Sequence, residues 1–487
     1  MKNFFLALLA LLIMFSQYIQ YRASGAIGSQ GPVVYWVADG STYRRGQYQR
    51  FLEWMKETHQ PPMDFRIDPA NNSLQKVILQ GVTGTAGDII QCFATQIRYL
   101  DEIGILEDLT PWIKDLGVST NDLFAGYQWM INEGRVVALP ANSGTSGPYC
   151  VNANAFTKLG LPFPPDRWSF EEFERLGKQY VEKANADKPR LRRFFAMAVN
   201  TTVMRNSVGV PMFNETMTAP AFNDPRYAAI LKLQRKWIYE DRILPSQADM
   251  DSFTQEGDNY GGTSALLHRG FFAMMNIGRW HFCTTRFMST DVNYRCVAHP
   301  DGGFLNSVAG GKFNAVYKGS KRKAQAKIFM KWLASDDYNL KIIADADGEP
   351  PNMAFLKTEA YLKPAKYPNE WDFNRDLSRL ILTTAVPEET TPYAIPGIYG
   401  PRVGKVSQGF MSGLITAEEM LLQQETIIRD AINEHLGRRP EVKVRYLEAV
   451  KRQQEIDAMK ASGKSLPLAL VDNPFLRVYY QKTGKAK

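Results

Sequence analysis

The sequence predicts an α/β fold of open, mostly parallel sheets flanked by helices. Three observations lead there. Over the first hundred residues, short apolar strand-like runs alternate with segments of helical periodicity, the pattern of parallel strands joined by crossover helices. A chain of 487 residues exceeds what one hydrophobic core accommodates, so two or three domains are expected. The composition, 45% apolar and 22% charged, is that of a globular protein rather than a disordered or fibrous one.

The elements follow in order. Pro32-Val33-Val34-Tyr35-Trp36-Val37 reads as the first strand, with a polar loop to Arg45. Gln47 to His59 carries Tyr48, Phe51, Leu52 and Met55 at helical spacing. Phe65-Arg66-Ile67 is a second strand, Leu74 to Gln80 a helix stopped by Gly81, and Gly87 to Cys92 a third strand. Arg135 to Pro140 is a short apolar strand, and residues 141–146 are read as a polar loop. Tyr149-Cys150-Val151 is a buried strand, followed by a capped helical turn from Asn152 to Leu159. Ser169, with Glu172 three residues on, forms a capping box that opens the next helix. Asn200 to Thr218 reads as a loop and Asp224 to Tyr239 as an amphipathic helix. Phe271 to Met275 is a buried strand running into Gly278-Arg279-Trp280. Ser307 to Gly311 and Phe313 to Tyr317 make a further strand, and Lys323 to Leu333 a helix. Thr416 to Glu419 opens a last long helix towards Leu436.

The N-terminus has the layout of an export signal. Lys2 precedes an apolar run from Phe4 to Phe15, and Ser24-x-Ala26 offers a cleavage site, so residues 1–26 are set apart from the fold. The apolar stretch nearly reaches Tyr21, which leaves an uncleaved anchor as the alternative. The first cysteine is Cys92, so a lipid-modified N-terminus is not expected. The net charge is +8, yet from Arg438 onward 12 Lys and Arg face 5 Asp and Glu, so the body is nearly neutral. That confinement argues against a nucleic-acid partner.

The order of motifs carries more. Gly134-Arg135-Val136-Val137-Ala138-Leu139-Pro140, a small polar loop, an apolar strand, Asn152 to Leu161, and Trp168-Ser169-Phe170-Glu171-Glu172-Phe173 occur together. Further on come Ala273-Met274 leading to Gly278-x-Trp280, then Gly310-Gly311 before Phe313 to Tyr317, and Gly348-Glu349-Pro350-Pro351. This sequence of segments resembles the family 1 extracellular solute-binding proteins, receptors of carbohydrate ABC importers, over roughly Val33 to Leu436. One departure is Gly87, where relatives mostly carry proline. The resemblance implies a two-lobed fold with the ligand cleft between lobes. Lobe 1 would comprise 33–150 with part of 303–350 returning to it, and lobe 2 would comprise 151–302 with part of 351–436. Residues 438–487 are a basic C-terminal extension outside the shared pattern. The resemblance also implies an exported, periplasmic or extracytoplasmic monomer that binds a neutral mono- or oligosaccharide and hands it to a separate ABC permease, with no cofactor. Matching segments place ligand contacts at Trp36, Asp39, Asn142, Thr145, Trp280 and Gly311. Trp36 and Trp280 read equally as core residues, and Asp39 as a helix cap.

Other chemistry weighs less. No G-x-S-x-G, H-E-x-x-H, P-loop or G-x-G-x-x-G is present, and Glu171-Glu172 and Glu418-Glu419 sit in first helical turns, where the dipole favours acids. An extracytoplasmic enzyme acting on glycans and a non-transport sugar sensor remain the rival readings, and the many Tyr and Arg leave room for an anion or iron receptor. His281-x-Cys283 and Cys296-x-x-His299 form a Cys2His2 set. In an exported chain a Cys283–Cys296 disulfide is the first expectation, free thiols or other pairings the second and zinc the third. The tail has two readings, an apolar strap on the body or a basic arm. Leu468, Leu470, Phe475, Tyr479 and Tyr480 favour the strap.

Overall fold

The computed structural model describes residues 32–37, 42–68, 73–119, 122–123, 130–255, 262–289 and 291–485, together with Phe15. The expected export signal, apart from Phe15, lies outside the described residues. Among the described residues no helix is long and apolar enough to cross a membrane.

Among the described residues twelve strands appear in chain order: β1 (Val33–Trp36), β2 (Phe65–Asp68), β3 (Ile89–Phe93), β4 (Ile131–Asn132), β5 (Arg135–Val136), β6 (Leu139–Ser146), β7 (Tyr149–Asn152), β8 (Phe194–Ala196), β9 (Phe272–Met275), β10 (Tyr294–Val297), β11 (Ser307–Val316) and β12 (Ala385–Pro387). The first sheet has the order β12-β11-β3-β1-β2, with β6 on the other edge of β11. Its β1–β2, β1–β3 and β11–β12 pairs are parallel, as alternating strands and helices require, while β11 runs antiparallel to β3 and β6. Helices α1 (Thr42–Glu57), α2 (Leu74–Val82) and α3 (Ala94–Glu102) belong to this lobe. Val33, Phe51, Ile89, Leu100, Phe329 and Trp332 are in its core.

The second sheet has the order β10-β7-β9-β8, with only β8–β9 parallel. It is buried on both faces, and side chains alternate between them as strand geometry demands. Tyr149, Val151 and Phe195 enter one core with Phe173 and Trp237, whereas Cys150, Phe194 and Tyr294 enter another with Phe373. Helices α4 (Phe170–Ala184), α5 (Thr201–Ser207) and α6 (Pro225–Tyr239) lie on this side. The α4 capping box forms, with Ser169 Oγ accepting from Glu172 N and Glu172 Oε2 from Ser169 N.

The chain leaves the first sheet through β6 into β7 and returns through β10 into β11. After α7 (Lys323–Leu333) and α8 (Asp336–Asp345) it crosses again, and α9 (Trp371–Thr384) leads back to β12. The C-terminal helices α10 (Pro396–Met411), α11 (Ala417–Arg438), α12 (Pro440–Ala461) and α13 (Pro474–Thr483) then straddle both lobes. Helix α10 packs on α3, and α11 packs on α6. Arg98 of α3 donates to the Thr391 and Pro392 carbonyls at 2.6 and 2.7 Å, and Arg445 of α12 reaches Glu133 at 2.6 Å. The tail packs as a strap. Val442, Ala449, Ile456, Leu466, Val471, Phe475 and Leu476 are buried, and Tyr479 stands edge-on to Phe304.

Four expectations are corrected. Residues 141–146 are not a loop but most of β6, because five residue pairs with β11, from Asn142 to Ser146, hold these small polar residues in a ladder. Gly81 does not end its helix. It is the penultimate residue of α2, glycine because a Cβ there would stand 2.6 Å from Ile105 Cδ1, and its carbonyl accepts from Tyr317 Oη. The loop expected from Asn200 contains α5, which Asn200 caps through its Oδ1. All four cysteines are free, so Cys283 and Cys296 are not bridged. Cys283 sits in a helical turn where its thiol donates to the Asp345 carbonyl, while Cys296 faces Cys150 across β10–β7.

A candidate ligand cleft between the two sheets

Strand β11 builds the cleft. Its β6 partner occupies one edge from Val308 to Asn314, so β12 and β3 must share the opposite edge. Strand β12 runs up to Pro387, paired with Ala309, and β3 runs in the opposite sense to end at Phe93, paired with Lys312. The carboxyl ends of two strands therefore meet on either side of Gly310-Gly311. Open α/β sheets bind ligands at such meeting points.

The floor there is bare backbone. Gly310 pairs with Gly144 of β6, and at neither would a Cβ meet anything within 4 Å. Gly311 has φ +158, and a Cβ there would stand 2.4 Å from the Asn142 carbonyl oxygen, so β6 and β11 approach closely only because it is glycine. Around this floor is a cavity of about 550 Å³ lined by residues of both sheets. Tyr43, Phe93 and Lys312 come from the first lobe, Asn200, Asn276 and Trp280 from the second, and Glu388 follows β12.

Trp280 is the aromatic wall. It lies in a 3-10 turn after β9 between Arg279 and His281, which are both fully buried, while Trp280 itself is 45% exposed. Arg279 anchors the turn, donating from Nε to Asn374 Oδ1 at 3.1 Å and from Nη2 to the Ile343 carbonyl at 2.9 Å, with Tyr361 below it. The indole is thus held out into the cleft by its neighbours, which disposes of the core reading. On the opposite side, Phe93 is half-exposed and Lys312 Nζ lies 5.8 Å from its ring centre.

The other expected residues divide. Thr145 lines the cleft with a buried Oγ1 that has no partner among the described residues. Asn142 lines it too, but its Nδ2 donates to the Asp347 carbonyl at 2.8 Å and its Oδ1 accepts from Lys312 N. That amide ties strand to strand and is already committed. Trp36 ends β1, opposite Asp68 and Ile90; its side chain and all of Asp39 lie outside the described residues. His281 and His299 do not converge on a metal site. His299 Nε2 accepts from Asn200 N, burial lowers both imidazole pKa values, to about 3 for His281 and about 4 for His299, and among the described residues no metal-ligating cluster is present.

The electrostatics of the cleft are uneven. Asp347 is buried and satisfied by Arg44 Nη1 at 2.7 Å and Gln47 Nε2 at 2.9 Å. Two residues on, Glu349 pairs its backbone with Ser143 of β6, but neither carboxylate oxygen has a partner among the described residues. Burial pushes its pKa up to about 7, against the nearby Arg279 guanidinium. Glu388 faces the cavity half-buried, and burial raises its pKa as well. Sequence reading missed Glu388, Asn200 and Thr202, which come from segments without strand or helix periodicity. Only the fold brings them to the β11 glycines.

A comparison with curated protein sequences finds no match. Among solved structures, the chain is similar to the ABC substrate-binding protein Lmo0181 from Listeria monocytogenes in complex with cycloalternan, at 17% identity and TM-score 0.66, covering 83% of this chain and 99% of that one. It is similar to maltose-bound MalE3 of T. maritima at 15% identity and TM-score 0.65, with 81% and 98% covered. The GacH receptor of Streptomyces glaucescens, solved unliganded and with acarbose, matches at 17% identity and TM-score 0.64, with 83% and 99% covered. At such identities these likenesses establish the two-lobed fold. The sequence model for bacterial extracellular solute-binding proteins matches residues 37–340, more than half of the chain, and the protein therefore belongs to the bacterial extracellular solute-binding protein family.

Proposed function

We propose that the protein is the receptor of a carbohydrate ABC importer, which captures a mono- or oligosaccharide between its lobes and releases it unchanged to a membrane permease. The observation that carries this reading is the floor of paired glycines, Gly144 and Gly310, walled by Trp280. A saccharide ring presents a flat C–H face and a rim of hydroxyls. Bare backbone admits the ring closely, an indole covers its apolar face, and Thr145, Asn200 and Asn276 are placed to pair hydroxyls. Structural relatives with bound cycloalternan, maltose and acarbose support the same ligand class. Lobe 1 is assigned to 33–150 with part of 303–350, lobe 2 to 151–302 with part of 351–436, and both close on the ligand by hinge motion through the β6 and β11 crossings. The protein acts outside the cytoplasm as a monomer, and residues 1–26 serve its export. Calorimetry against a panel of mono- and oligosaccharides, with chromatography of the recovered ligand, tests this. One-to-one binding of an intact sugar is expected, and a cleaved or modified sugar would replace the receptor with an enzyme.

A further inference from the structure

Glu388 and Glu389 are neighbours with opposite surroundings. Glu389 accepts from Arg205 Nη2 at 2.8 Å, from the backbone N–H of Met212 and Phe213, and from Asn473 Nδ2. Glu388 points into the cleft and has no hydrogen-bond or ion-pair partner among the described residues. Arg205, whose charge acts on it, makes its hydrogen bonds elsewhere: Nε donates to the Val210 carbonyl, Nη1 to Met212 Sδ, and Nη2 to Asn206 and Glu389. Lys312, the cleft's own cation, lies along β11 towards Phe93. Asp347, the other carboxylate on the cavity wall, is neutralised from behind by Arg44. Among the described residues that line the cavity, Glu388 is therefore the carboxylate without a paired cation.

Lobe closure makes this worse. A carboxylate drawn out of water without a counter-ion is unfavourable. A ligand bearing only hydroxyls solvates it partly. A ligand bearing an ammonium group supplies both the opposite charge and the donors, in a charge-assisted hydrogen bond.

We infer that Glu388 selects a saccharide carrying a free, protonated amine, with its carboxylate accepting from the ammonium beside the Gly310 floor. This rests on the sugar-receptor reading and sharpens its ligand class away from the neutral sugar that the sequence suggests. It is tested by calorimetry at neutral pH with glucosamine oligomers of two to four units, their N-acetylated counterparts and malto-oligosaccharides of equal length. The wild-type protein should bind the free-amine series at least tenfold more tightly than the N-acetylated one. Glu388→Gln should erase that preference, bringing the free-amine series down to the affinity of the N-acetylated one, and Glu388→Lys should abolish amine binding. Both variants should melt near the wild type, since Glu388 holds no partner in the protein. If Glu388→Gln weakens neutral and aminated sugars alike, the carboxylate is a plain hydroxyl acceptor and the inference fails. If the wild type prefers neutral sugars, the inference fails and the receptor reading stands. If it binds no saccharide at all, both fall.

Discussion

The cleft and the back of the molecule, where the C-terminal tail packs, use the same residue types to opposite ends. Under the tail, Glu215 accepts from Gln453 Nε2, Tyr480 Oη and Lys460, and its carbonyl accepts from the N–H groups of Asp472 and Asn473 at 2.8 Å each. Glu389 is equally saturated. In and beneath the cleft, Glu388, both oxygens of Glu349, Thr145 Oγ1 and Arg279 Nη1 lack partners among the described residues. Buried polar groups are ordinarily paired. Arg452 Nε and Thr390 Oγ1 lack partners as well among the described residues, so the contrast is between carboxylates: Glu215 and Glu389 are saturated by the chain, and Glu388 and Glu349 are not.

The sharpest way to break this comparison is to remove the back. Truncation after Leu436 deletes Ala449 and, from buried positions, Val442, Ile456, Leu466, Val471, Phe475 and Leu476, these six each contributing about 1.5–3 kcal/mol by transfer alone. The truncated protein should melt far below the full chain or lose its cooperative transition. A melting temperature within a few degrees would mean that the tail is an appendage. Next, Glu389→Ala strands Arg205, Met212 N and Asn473, and loss of one partner of a buried pair costs about 3–5 kcal/mol. Denaturant unfolding should show that loss with sugar affinity nearly unchanged.

Within the open set, Glu349 predicts a pH signature. Its folded pKa of about 7 lies above the usual glutamate value of 4.5, so its contribution is fully present below pH 4.5 and is lost as pH rises through 7. The loss amounts to about 3 kcal/mol at 1.36 kcal/mol per unit. Glu349→Gln should flatten that segment of the stability–pH curve and raise stability at pH 8, and an unchanged slope would show that its environment is wetter than its burial implies. The smallest effect concerns Trp280→Ala. It should weaken sugar binding about tenfold, in line with ~1.4 kcal/mol for a lost aromatic contact, while the melting temperature barely moves, because the indole is half-exposed. A variant that unfolds would return Trp280 to the core.

Much of the fold was legible in the sequence because local signals agreed with tertiary need. The capping box at Ser169 starts the helix it announces, and the buried runs at Tyr149 and Phe272 are strands. What stayed hidden is set at long range. The Pro-Ala-Asn-Ser-Gly-Thr-Ser run of β6 has poor strand propensity and is a strand only because β11, some 170 residues on, pairs with it. Gly81 reads as a stop until Ile105 is seen against it. In the site, Trp280 stood out as an aromatic after a buried strand, whereas Glu388 is distinguished by the partners it lacks, which no spacing reveals. Asn142 lines the cavity as expected, and the bond of its amide to the Asp347 carbonyl, 205 residues on, is what its spacing does not reveal.

The position of β11 bears on how the chain comes into being. The first sheet begins with β1 near residue 33, but the strand that joins β3 to β6 and β12 is supplied by Ser307–Val316. Until those residues leave the ribosome, β3 has an open edge and β6 has no partner. An early collapse of the first lobe would be a half-sheet, and its completion depends on contacts of very high sequence separation, which form slowly. The first sheet thus stays incomplete for about two-thirds of synthesis, since β11 begins at residue 307 of 487.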